Sequence, residues 1–112
     1  MKRVYNKLVR DRIPEIIEAK GQRAVYSVLA DAEYWEYLLK KDQEELREVA
    51  EAVSIEEQKA ELADKLEVLR AMAEYRGFSL QDIIVAADKK AEARGGFEKR
   101  IFLIEVEKSH EQ

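Results

Sequence analysis

Between Asp31 and Gly77 the chain runs without a glycine or a proline, and its apolar residues recur at helical spacing on both sides of one interruption at Val53-Ser54. Trp35, Leu38, Leu39, Leu46, Val49 and Val53 share one face of a helix over residues 32–52, with Asp31 suited to its N-cap. Ser54 and Glu57 form a capping box, and the next helix runs to Gly77 with Ile55, Leu62, Leu66, Leu69 and Ala73 as its stripe. Two long helices with almost no loop between them must pack antiparallel. The expected fold class is mainly α, an antiparallel helix hairpin with further helices around it.

The flanking segments are shorter. Pro14 suits a first helical turn and Gly21 closes the segment, so residues 13–20 read as a short helix. Ser79 opens another helix, SLQDIIVAADKKAEAR, with Leu80, Ile83, Ile84, Ala87 and Ala91 as its buried row and Gly95-Gly96 at its end. QRAVYSVLA and FEKRIFLIEVEK are rich in β-branched and aromatic residues, which predicts two strands and a small terminal β pairing through residues 24–29. The closing KSHEQ reads as a frayed end. With no repeat or linker, 112 residues predict a single domain over residues 1–112.

Composition removes several function classes. There are 24 acids against 20 bases, a formal charge of -4, so a broad electrostatic footprint for a nucleic-acid polymer is missing. Without cysteine there is no disulfide, thiolate ligand or cysteine nucleophile, and the one histidine, His110, stands two residues from the end. No apolar run approaches the ~20 residues that span a bilayer, and MKRVYNKLVR lacks the apolar core of a signal peptide. A cytoplasmic protein that does not engage membranes is expected.

Two acid pairs stand out, Glu45 with Glu48 and Glu61 with Asp64, each three residues apart on a helix. Measured from a turn between Val53 and Ser54, Glu48, Glu61, Glu45 and Asp64 lie roughly 8, 11, 13 and 16 Å along the hairpin, so all four share about one and a half turns of height. The same rows continue into Tyr34 and Tyr37 on the first helix and Val68, Ala71 and Tyr75 on the second, which predicts cover from the last helix or from another subunit. Four carboxylates under cover repel one another unless a cation neutralises them, and hard oxygen ligands select Mg²⁺ or Mn²⁺. Spacing alone is the commoner mark of solvated acids paired with Lys41, Lys65 and Arg47.

The basic candidates divide in the same way. Lys90 and Arg94, four apart near the end of the last helix, can hold a phosphate chain or simply complement the helix dipole. Lys7, Arg10 and Arg12 lie close to a helix start, a position suited to anions.

These residues, taken together, resemble the all-α NTP pyrophosphatase superfamily, which includes MazG-like enzymes, dimeric dUTPases and phosphoribosyl-ATP pyrophosphohydrolase. The resemblance rests on Glu45-Leu46-Arg47-Glu48 followed by Glu61-Leu62-Ala63-Asp64. NKLVRDRIPEII, ELADKLEVL and RGGFEKRIFL resemble more specifically a branch of house-cleaning pyrophosphatases. The likeness covers nearly the whole chain.

The resemblance implies a MazG-like bundle that hydrolyses a nucleoside triphosphate between its α and β phosphates, releasing a monophosphate and pyrophosphate. Glu45, Glu48, Glu61 and Asp64 would hold Mg²⁺, with Mn²⁺ as a substitute, and one of them or Glu44 would serve as the base. Lys90 and Arg94 would stabilise phosphate charge, with Lys7, Arg10 and Arg12 also binding substrate. A homodimer or homotetramer is implied. The contrasting expectation is a non-catalytic helical module whose acids form the rim of an oligomer interface.

Overall fold

The computed structural model describes residues 2–108. His110, and all of KSHEQ except Lys108, lie outside the described residues. The chain divides into two compact units, residues 1–80 and 81–112. Four helices are present, α1 (Ile13–Ala19), α2 (Asp31–Glu51), α3 (Ile55–Tyr75) and α4 (Leu80–Arg94). None is long and apolar enough to cross a membrane.

In the first unit, Pro14 stands in the opening turn of α1, where its missing N–H costs nothing. Ala30, not Asp31, occupies the N-cap of α2. Asp31 is the first helical residue, and its charge opposes the positive end of the helix dipole. The connector to α3 has three residues, 52–54. Ser54 Oγ accepts from the Glu57 N–H at 3.1 Å, and Glu57 reaches back to the Val53 N–H at 3.1 Å. These two bonds satisfy donors that the helix itself leaves open. At the far end, Gly77 at φ 87° lets the chain leave α3, with the Phe78 N–H donating to the Ala73 carbonyl.

α2 and α3 pack on each other, and their paired positions run in opposite senses. Trp35 stacks on Tyr75 with ring centroids 5.2 Å apart, and Tyr34 meets Tyr75 edge-on. Nearer the connector, Lys65 Nζ lies 2.6 Å from Asp42. The Tyr75 hydroxyl donates to the Asp31 carbonyl at 3.1 Å and ties the end of α3 to the start of α2.

The face these helices share differs from the expected stripe. Leu38, Val68, Ala73 and Glu45 are buried, whereas Leu39, Leu46, Leu62, Leu66 and Leu69 are exposed. The acid-bearing faces are thus turned inward and the leucine faces outward. A two-helix pair has one mutual face, so an apolar row outside it stays open until another element covers it. Tyr34 and Tyr75, from α2 and α3, cover each other in part, and Val68 is buried.

No strand occurs among the described residues, so the small terminal β pairing is not formed. Val25, Val28, Ile104 and Val106 stand exposed on irregular backbone. Strand propensity reflects packing on neighbours, and a two-stranded ribbon alone is marginal in water. In the second unit, α4 ends at Gly95, whose N–H donates to the Ala91 carbonyl at 2.7 Å. Its expected buried row is not buried: no residue of α4 is.

Candidate metal centre

The polar centre of the first unit is built from α2 and α3. Glu44, Glu45 and Glu48 present carboxylate oxygens within 4.8 Å of one another, and so do Glu45, Glu61 and Asp64. Glu45 belongs to both groups and joins them. The i,i+3 spacing on each helix and the three-residue connector bring these five acids to one height.

Burial makes the cluster costly. Glu45 is only 4% exposed, and among the described residues its Oε2 has no hydrogen-bond partner; Oε2 of Glu61 is buried and unpartnered there as well. A buried carboxylate oxygen without a donor is strongly disfavoured. Burial, then the hydrogen bond and charge of Glu48, push the Glu45 carboxyl up to about 7. Glu61 is also raised, chiefly by its hydrogen bond with Glu48. Glu48 therefore reaches both neighbours, and carboxyls in mutual contact need a proton or a cation between them.

Cations from the same unit line the cluster. Lys41 Nζ lies 3.6 Å from Glu44 and 3.5 Å from Glu45, Lys7 Nζ donates to Glu44 at 3.1 Å, and Arg10 Nη2 donates to Asp64 at 2.7 Å. Burial raises the Glu44 carboxyl, but Lys7 and Lys41 outweigh it and the net shift is downward. Five formal negative charges against three positive ones leave two uncompensated, the charge of one divalent cation. The two orphaned oxygens, the all-oxygen donor set and this charge balance fit Mg²⁺ or Mn²⁺.

The other basic candidates fall elsewhere. Arg12 pairs with Glu15 on α1, well exposed. Lys65 pairs with Asp42, and Arg47 lies 3.9 Å from Glu51, so neither neutralises the clustered acids. Lys90 and Arg94 lie on α4, in the second unit. Lys41 is more than a surface partner, and Glu44 more than a candidate base. The signal for both is their offset from Glu45, four residues before it and directly adjacent, on a helix whose acid face is inward.

No family model matches the chain, and no solved structure matches it. A protein of Mycolicibacterium smegmatis (strain ATCC 700084 / mc(2)155), described only as uncharacterized, is 51% identical over 45 residues, covering 40% of this chain and 46% of that protein. The chain thus spans just under half the length of this relative.

Proposed function

We propose that the chain is a metal-dependent nucleoside triphosphate pyrophosphohydrolase of the all-α NTP pyrophosphatase superfamily, cleaving the α–β phosphoanhydride of a canonical or non-canonical nucleotide. One observation carries this reading: two acid pairs, from α2 and α3, converge around two buried carboxylate oxygens that no described residue satisfies. Glu45, Glu48, Glu61 and Asp64 hold Mg²⁺ or Mn²⁺. When bound, such an ion neutralises phosphate oxygens and lowers the pKa of the attacking water.

The chain's own residues do the rest. Glu44, held ionised by Lys7 and Lys41, is available to accept a proton. Lys7 and Arg10 lie at the rim of the cluster, where they bind phosphate oxygens as substrate arrives. By the family resemblance, Lys90 and Arg94 are further phosphate-binding candidates, and Arg12 a lesser one. In this reading residues 1–112 form one MazG-like domain whose core is an antiparallel α2–α3 hairpin. The domain works in the cytoplasm as a homodimer or homotetramer that covers the open leucine face, and it binds neither membranes nor nucleic-acid polymers.

A second reading, a non-catalytic helical oligomerisation module, is favoured by that leucine face and by the cations already paired with the acids. The deciding experiment is pyrophosphate release from a panel of canonical and modified NTPs and dNTPs with Mg²⁺ or Mn²⁺. Pyrophosphate plus monophosphate that disappears in Glu61→Gln and under a chelator supports the hydrolase. Full activity in Glu61→Gln would remove the metal assignment, and a folded protein with neither turnover nor saturable metal binding would favour the module.

A further inference from the structure

A small cavity of about 60 Å³ opens beside the carboxylate cluster, lined by Asn6, Lys7, Tyr37, Lys40, Lys41 and Glu44 among others. That volume is several times the roughly 10–15 Å³ that admits one water molecule, room for a small anion. Three lysines and one glutamate line it, so the residues around it carry a net positive charge, whereas the neighbouring cluster is anionic. Glu44 is the wall the two have in common.

Each lysine is held differently. Lys41 is half-buried against Glu44 and Glu45, and Lys7 donates to Glu44. Lys40 pairs with no carboxylate among the described residues; its Nζ is stationed 4.5 Å from the centre of the Tyr37 ring. In a chain with more acids than bases, an ammonium parked on an aromatic face beside two other lysines still lacks an anion. Asn6, at φ 46°, adopts the left-handed conformation that asparagine tolerates best after glycine, and turns the chain immediately before Lys7.

We propose that Lys7, Lys40 and Lys41 form an anion subsite for the phosphate end of the nucleotide, the part that leaves as pyrophosphate. The proposal deepens the hydrolase reading and rests on it for the identity of the ligand, but not for the preference of the pocket for phosphate groups. The subsite gives the substrate a direction. Positive charge stands one helical turn before the acids on α2, so the polyphosphate tail points toward Lys40 and the scissile bond lies over Glu44 and Glu45.

The probe is inorganic pyrophosphate, titrated calorimetrically into the full chain with and without Mn²⁺, beside Lys40→Ala and Lys40→Arg. Lys40 is exposed, so neither substitution threatens the fold. Pyrophosphate affinity should fall about tenfold in Lys40→Ala and be largely kept in Lys40→Arg, with Mn²⁺ affinity unchanged. Pyrophosphate binding equal to wild type in Lys40→Ala, or lost equally in both variants, overturns the subsite. If no nucleotide is turned over while pyrophosphate binding still depends on Lys40, the hydrolase reading fails and the subsite stands. If turnover requires Glu61 while Lys40→Ala changes neither pyrophosphate binding nor KM, the subsite fails and the hydrolase stands.

Discussion

Arg10 Nη2 lies 2.7 Å from Asp64 Oδ1, joining the segment before α1 to the middle of α3. The guanidinium therefore occupies one oxygen of a carboxylate that a divalent cation would also use. An ion entering the cluster must share Asp64 with Arg10 or displace it, and a displaced guanidinium is free to meet an incoming phosphate.

Arg10→Gln should accordingly bind Mn²⁺ more tightly than the wild type, by about two- to fivefold, the worth of one exposed ion pair. It should also raise KM for the nucleotide. Titration of the metal alone and steady-state kinetics measure the two effects. Weaker Mn²⁺ binding in the variant would mean that Arg10 orders Asp64 for the metal and does not compete with it.

Glu45 makes stability depend on pH with a definite sign. Its carboxyl is raised from 4.5 to about 7 in the fold, so the native state retains a proton that the unfolded chain has released. The contribution favours folding fully below about pH 4.5 and is lost as pH rises to about 7, with a cost on the order of 3 kcal/mol above that. Glu45→Gln in a chelator should be more stable than the wild type at pH 8 and lack this part of the pH slope. The stabilisation of the wild type by Mn²⁺ should be small at pH 5 and large at pH 8. Thermal unfolding at both pH values tests this, and equal Mn²⁺ shifts would dissociate Glu45 from the ion.

The open leucine face should be an interface. Leu62 is 54% and Leu66 44% exposed, and with Leu69 and Met72 they line a groove of about 390 Å³. Contiguous exposed apolar surface of this kind marks association. Sedimentation of the wild type should give an oligomer, and Leu62→Glu with Leu66→Glu should shift it to monomer with reduced helical circular dichroism. A monomeric wild type would leave the face without that role.

Trp35 is the single tryptophan and reports directly on the end of the α2–α3 pair. Tyr75 stacks on it, and the Arg76 guanidinium lies 4.3 Å from its ring centre. Tyr75→Ala should cost about 2 to 3 kcal/mol and red-shift the Trp35 emission. Tyr75→Phe, which loses only the bond to the Asp31 carbonyl, should cost about 1 kcal/mol or less and leave the emission in place. An unchanged spectrum in Tyr75→Ala would show that the stack does not persist in solution.

Helix existence is legible in the sequence because local signals carry it. Pro14, the Ser54–Glu57 cap, Gly77 and Gly95 mark boundaries within a residue or two. Which face of α2 and α3 turns inward is not legible, because Leu39, Leu46, Leu62 and Leu66 form a better apolar stripe than the row through Glu45 and Asp64. Apolar periodicity reports every face that will be covered, including any covered by other chains, and it cannot rank them. The ligand acids are legible from their i,i+3 spacing. Lys41 and Lys7 as their partners are not, since one requires knowing that the acid face is inward and the other joins residues 37 positions apart. The strand expectation fails because residues 22–30 and 101–107 carry β-type side chains without the packing that turns propensity into a ladder.

The three-residue connector at 52–54 does more than reverse the chain. Because Glu45 and Glu48 are counted backward from it and Glu61 and Asp64 forward, it acts as the ruler of the site. One residue inserted into the helical turns beside it, at 49–51 or 55–60, would rotate one acid pair relative to the other by about 100° and slide it by about 1.5 Å, taking it out of the cluster while leaving two intact helices. Length, more than composition, is what this part of the chain must conserve, whereas the irregular segments at 22–30 and 97–108 place no such limit on the carboxylates.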